Sequence, residues 1–239
     1  MFKNKKVILF DLDGTLIDSV GIWNEVDRKL IRQLGGAEIR SEEVQIQRDT
    51  MLRQFSSDVN PYLRYCEFFK EKYNSPLPAE EIVKLRYEIA NDFLKNEVEY
   101  KRDVEKLLAK LKAYGFTLII TTTSRRSNVD IYRTLNSNII KKAPLDQFFS
   151  NIYTREDVTE IKPNPEIYYK VMGEFNVRPE ECLIFEDSLI GVDAANRAGI
   201  EVVAMYDKYS DHERKEINEK TDYEFDHYAA VLEVLEAEL

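Results

Sequence analysis

The chain predicts an α/β fold: a Rossmann-like parallel sheet core with an inserted all-helical cap domain. Two patterns and the chain's size carry that expectation. Short apolar runs rich in β-branched and aromatic residues stand at the N-terminus and recur through the second half, alternating there with helical patterns. Residues 17–98 instead carry amphipathic helical patterns with no strand pattern. At 239 residues and 44% apolar content, the chain can build one core domain and a smaller companion.

Taken in order, VILF at 7–10 reads as the first strand. Four helical patterns follow, WNEVDRKLIRQL, SEEVQIQRDTMLRQF, NPYLRYCEFFKEKY and AEEIVKLRYEIANDFLKNEV. Breaks fall at Gly35-Gly36, Asn60-Pro61 and Pro76-Leu77-Pro78. The division expected is a core of 1–16 and 99–239 around a cap of 17–98. Within the core, strands are expected at 117–122, 151–154, 182–186 and 201–206, giving about five parallel strands with the first. Helices are expected at 101–113, 128–136, 164–175, 188–198 and 228–237. The stretch NSNIIKKAPLDQFF at 136–149 is long and basic for a linker and receives no element.

Composition narrows the function classes. With 34 basic against 44 acidic residues, a net charge of −10, the chain is a poor match for a phosphate backbone, so no nucleic-acid partner is expected. Cys66 and Cys182 have no CxxC or Cys/His spacing, which argues against zinc or a disulfide framework. The apolar run after the basic start is too short for a signal peptide or a membrane span. The expectation is a soluble cytoplasmic protein, a monomer or weak homodimer, with no membrane partner.

In a parallel sheet, ligands collect beyond the C-terminal strand ends. There the chain offers Asp11 and Asp13 after the first strand, Thr122, Thr123 and Ser124 after the second, and Glu186 and Asp187 after 182–185. Lys162 sits in IKPNP, beside a proline-fixed helix start. Two carboxylates one residue apart repel, and burial strengthens the repulsion. A hard dication such as Mg²⁺, held by carboxylates and substrate phosphate, would offset it. One carboxylate could then attack phosphorus while another moves protons, with Lys162 and Thr122 on the charged oxygens. A calcium loop is excluded, because its glycine belongs at position 6 and here Gly14 stands at position 4, after a strand.

These residues resemble the haloacid dehalogenase superfamily of phosphatases and phosphomutases, in the subfamily with a helical cap after the first motif. The matching segments are DLDGT at 11–15, Thr122, Lys162 of IKPNP, EDS at 186–188, and GVDAANRAG at 191–199. The resemblance implies Asp11 as nucleophile and metal ligand. It implies Asp13 as general acid and base, with its carbonyl on the metal. Thr122 and Lys162 would bind the transferring phosphoryl group, Asp187 would complete the Mg²⁺ ligands, and Glu186 would coordinate or orient nearby. Backbone amides around Leu12 and Asp13 would face phosphate oxygens, and Thr123, Ser124 and Arg125 would bind substrate. Ser124 and Arg125 correspond to positions that hold a remote phosphate in sugar-phosphate members; Arg126 is the weaker candidate beside them.

The expected activity is hydrolysis of a small phosphorylated metabolite through an aspartyl phosphate. A sugar phosphomutase resembling β-phosphoglucomutase is the alternative, but Trp23 stands where those mutases carry a cap histidine, and His212 and His227 lie far away. A non-catalytic binding protein on the same scaffold is a third reading, against which every motif is intact. Asp13 also argues against a dehalogenase, which needs no proton for its leaving group. Within the cap, Trp23 is expected near the entrance, Arg48 and Arg53 are open, and the tyrosine-rich stretch 62–73 is expected to be core.

Overall fold

A computed structural model of the chain describes residues 1–55 and 61–239. It comprises two compact units, Met1–Ser19 with Val98–Leu239, and Val20–Glu97. After β1 (Val7–Phe10), the second unit holds α1 (Ile22–Gln33), α2 (Ser41–Gln54), α3 (Pro61–Lys72) and α4 (Ala79–Asn96). The first unit resumes with α5 (Val104–Ala113), β2 (Thr117–Thr121), α6 (Arg126–Thr134), α7 (Ser137–Lys142), α8 (Leu145–Phe148) and β3 (Asn151–Tyr153). It continues through α9 (Glu166–Phe175), β4 (Cys182–Glu186), α10 (Leu189–Ala198), β5 (Glu201–Met205), α11 (Arg214–Lys220), β6 (Tyr223–Phe225) and α12 (Tyr228–Glu238).

All strands of the first unit are parallel, in the order β3-β2-β1-β4-β5-β6. The α/β fold expected from the sequence is therefore the fold observed. Every residue of β1 and β4 is buried, as a sheet covered on both faces requires. Alternation along β1 sends Val7 and Leu9 into a cluster with Ile167, Val171, Val192 and Ala195 of α9 and α10. On the other face Phe10 stacks on Phe185 at 4.8 Å and meets Phe149 edge-on at 6.1 Å.

Four elements escape the sequence reading. Strand β6 has three residues with only half-buried aromatics, so it shows no apolar run. Helix α11 buries Ile217 alone among RKEINEK, which leaves no periodic stripe. The unassigned 136–149 stretch forms α7 and α8, buries Ile139, Leu145 and Phe149, and takes the Tyr100 hydroxyl on the Ala143 carbonyl at 2.6 Å. Through Phe149 it packs against the Phe10 ring, directly before Asp11.

Residues 17–19 stay with the first unit. Ile17 bridges Tyr100, and the Asp18 amide donates to the Glu99 carbonyl at 3.0 Å, so the chain leaves and re-enters this unit side by side.

The helical unit buries Val26, Leu30, Ile31, Tyr65, Phe69, Ile82 and Ile89. In its interior Asp27 accepts from Arg86 at 2.6 Å and from Arg48 at 3.2 Å. Trp23, expected near an entrance, packs half-buried against this core, its ring 5.0 Å from the Arg86 guanidinium. The side chain of Arg53 lies outside the described residues.

Candidate active site

The site follows from the sheet order. The chain builds β1, β2 and β3 outward on one side, then crosses to place β4 on the other side of β1. Such a reversal opens a crevice at the carboxyl ends of the two strands. Phe10 pairs with Phe185 across β1 and β4, so Asp11 and Glu186 emerge side by side, and the Asp11 amide donates to the Phe185 carbonyl at 2.9 Å.

Carboxylate oxygens of Asp11, Glu186 and Asp187 lie within 4.8 Å of one another, and all three residues are buried. Lys162, 3% exposed, reaches them from the loop before α9. Its ammonium donates to Asp11 Oδ1 at 2.8 Å, Glu186 Oε1 at 2.5 Å and the Thr121 carbonyl at 2.9 Å. That loop is pinned by Glu166, whose carboxylate accepts the Thr159 and Glu160 amides, both at 2.8 Å. A lone lysine buried there would be costly, but three acceptors satisfy its three donors.

The charge balance explains the titration of the group. Burial pulls Lys162 down, yet Asp11 and Glu186 more than reverse this and hold it well above its ordinary value. Burial pushes Asp11 up to about 7; Lys162 opposes that shift, while Glu186 and Asp13 reinforce it. Asp187 is also raised well above the usual carboxylate range, by burial and then by Asp11 and Glu186. The lysine gains from its neighbours while the carboxylates lose, because three carboxylates surround one ammonium.

Glu186 spends both oxygens internally. Its Oε2 accepts from the Asp187 and Ser188 amides at 3.2 and 3.3 Å and from the Ser188 hydroxyl at 3.0 Å. Ser188 caps α10 by accepting the Gly191 amide at 3.2 Å. A Cβ at Gly191 would stand 2.0 Å from the Glu186 carboxylate, so any side chain there would have to displace it. Gly191→Ala is expected to lower stability by about 1–3 kcal/mol through overpacking, read as a lower midpoint in thermal unfolding.

Asp13, half-buried, accepts hydroxyl hydrogens from Ser19 and Ser124, both at 2.5 Å. Ser124, a candidate substrate contact, thus directs its hydroxyl hydrogen at Asp13. Buried Thr122 turns its hydroxyl oxygen to the Ser124 amide at 3.0 Å, closing a short turn. Leu12 is fully buried and takes the Leu16 and Ile17 amides on its carbonyl. Thr123 is half-buried in the loop, and Arg125 is exposed where α6 begins, outside the buried group. Arg126 is engaged elsewhere, paired with Asp157 and donating its amide to Glu156 at 2.9 Å.

The structure adds residues that the sequence reading did not assign. Thr15 donates its hydroxyl to Asp187 Oδ1 at 2.7 Å. Gly14, at φ +83°, lies so close to Asp187 that a Cβ would stand 2.3 Å from Oδ2. Thr15 and Ser188 were visible as the final letters of DLDGT and EDS; Ser19 carried no signal.

The donors gathered here are hard oxygens without thiol or imidazole, and the carboxyl groups outnumber the ammonium three to one. That set suits a divalent cation of the Mg²⁺ type. Carboxylates, a lysine and hydroxyls gathered at the crevice of a parallel sheet form the kind of ligand site that α/β enzymes carry at their strand ends. Comparison with known proteins makes the assignment specific: the chain belongs to the haloacid dehalogenase-like hydrolases, whose family model matches residues 8–205. It is 24% identical over 234 residues to a phosphoglycolate phosphatase of Mannheimia succiniciproducens, covering 96% of this chain and 98% of that one. It is 27% identical over 206 residues to the bifunctional riboflavin kinase/FMN phosphatase of Arabidopsis thaliana, covering 85% of this chain. The match spans about half, 49%, of that longer protein. The crystal structure of CbbY from Rhodobacter sphaeroides in complex with phosphate superimposes with a TM-score of 0.68 at 25% identity, covering 94% and 95% of the two chains. Among the described residues, no helix is long and apolar enough to cross a membrane.

Proposed function

We propose that this hydrolase is a Mg²⁺-dependent phosphatase that cleaves a small phosphomonoester through a phosphoryl group carried on Asp11. The observation that carries the reading is the buried group of Asp11, Glu186 and Asp187 around the single ammonium of Lys162. Three carboxyl groups beside one lysine, which when ionised leave a surplus of negative charge, suit a site that takes a dication and a phosphate together. The phosphatase activities named for the two relatives above support the same class.

Asp11 and Asp187 would hold Mg²⁺, with the Asp13 carbonyl. Glu186, with both oxygens engaged, holds Lys162 instead. When bound, Mg²⁺ supplies positive charge that draws the phosphoryl oxygens in and reduces their repulsion with Asp11. The Asp11 carboxylate attacks phosphorus, forming an O–P bond as the ester P–O bond breaks, and Asp13 gives a proton to the departing oxygen. Water then attacks phosphorus, Asp13 takes its proton, and the bond to Asp11 breaks to release phosphate. Lys162 and the Thr122 hydroxyl balance the charge on the oxygens that stay with phosphorus.

The test is phosphate release from a panel of sugar phosphates, phosphoglycolate and nucleoside monophosphates, with Mg²⁺ and with chelator. Release at least about a hundredfold above the chelator rate is expected for some member. Silence across the panel, or conversion of β-glucose 1-phosphate to glucose 6-phosphate without free phosphate, would overturn the reading.

A further inference from the structure

We propose that Tyr228, at the start of the C-terminal helix, is a positioning residue for the Asp187 carboxylate and acts through Thr15. The inference rests on the metal reading above and extends it to a part of the chain far from every site motif.

The connection is continuous and buried. Tyr228 is 1% exposed, and its hydroxyl donates to the Thr15 carbonyl at 3.0 Å. Thr15 is fully buried, and its own hydroxyl donates to Asp187 Oδ1 at 2.7 Å. Other carbonyls of the loop accept backbone amides: Leu12 from Leu16 and Ile17, Ile17 from Gly14, and Leu16 from Lys101. The Thr15 carbonyl instead accepts from the phenol, which restrains the backbone that carries the threonine side chain. Asp187 is then held on two sides, by the Thr15 hydroxyl on Oδ1 and by the bare α-carbon of Gly14 beside Oδ2.

The platform that carries Tyr228 is anchored at both ends. His227 Nδ1 accepts the Ala230 amide at 3.2 Å as the helix begins, and Glu238 accepts the Phe2 amide at 2.7 Å as it ends. The Tyr228 ring also lies 6.3 Å from that of Phe185, two residues before Asp187. Groups that orient a metal-binding carboxylate set affinity by about 10–100-fold even though they never touch the ion.

The test is Mg²⁺ binding by calorimetric titration of the substrate-free protein, with thermal midpoints recorded in chelator. Wild type, Tyr228→Phe, Thr15→Val, Thr15→Ser and the double variant Tyr228→Phe/Thr15→Val are compared. Thr15→Val is expected to weaken Mg²⁺ binding about tenfold or more, and Thr15→Ser, which keeps the hydroxyl, to restore it. Tyr228→Phe is expected to weaken it by roughly three- to tenfold, and to add nothing in the Thr15→Val background, since the two residues act in series. A Tyr228→Phe affinity equal to wild type, with only the thermal midpoint lowered, overturns the proposal; so does an equal loss in both backgrounds. Wild type that binds no Mg²⁺ overturns the metal reading itself, a result distinct from either.

Discussion

Asp11→Asn is expected to cut phosphate release by at least about a thousandfold while leaving the protein folded and, without metal, more stable than wild type. The activity loss follows from the proposed chemistry. An amide is isosteric with a carboxylate and can still accept the Lys162 hydrogen, but it lacks the charge and nucleophilicity that attack on phosphorus requires. The stability gain follows from the site's charge balance, because the variant removes one of three carboxylates gathered around one ammonium. Loss of turnover with a raised thermal midpoint separates a missing nucleophile from a damaged fold. Rapid acid quench with labelled substrate adds an independent readout, with label on the wild-type chain and none on the variant. Activity within tenfold of wild type would assign the attack to another group.

How far this site can be read from the chain depends on which contacts are local. Apolar runs ending in carboxylates reveal Asp11 and Asp187 as strand-end residues, because a buried strand that stops at a charge has few other uses. What the runs do not reveal is that β1 and β4 are neighbours, and it is that adjacency that brings Asp11 within reach of Glu186 and Asp187. The family resemblance covers the gap by analogy; the sheet order supplies the cause. Glu186 shows the limit in the other direction. Its position at a strand end is legible, but its work, holding Lys162 with one oxygen and the α10 entry with the other, depends on Ser188 and Gly191 folding back onto it. Ser124 was legible as a polar loop residue, and only the folded loop turns its hydroxyl to Asp13. The Tyr228 link lies 213 residues from Thr15 in sequence and has no local signature at all.

Without metal, the thermal midpoint is expected to fall as pH rises from about 5.5 to 7.5, and saturating Mg²⁺ should abolish or reverse that fall. Asp11 carries the prediction. Burial raises it from 3.8 to about 7, so between those values the folded protein keeps a proton that the unfolded chain has released. Stability from this group is therefore full at low pH and is lost as pH climbs through 7. Each pH unit in that window removes about 1.4 kcal/mol, and with the tapering near 7 the loss comes to roughly 2 kcal/mol, or about 4–8 °C for a chain of this size. Asp187, raised for the same reason, acts in the same direction. Lys162 does not compete, since it is raised from an ordinary value of 10.5 and its contribution is lost only at alkaline pH. The carboxylates held low by hydrogen bonds and ion pairs, Glu43, Asp103, Glu156, Glu166, Glu181 and Glu238, titrate below the window and lose their contributions only in acid. The slope should consequently shrink in Asp11→Asn, and the variant should gain less from Mg²⁺ than wild type does. A wild-type midpoint that rises across this range in chelator would mean that the ionised site is stable on its own, and the electrostatic case for a dication would fall with it.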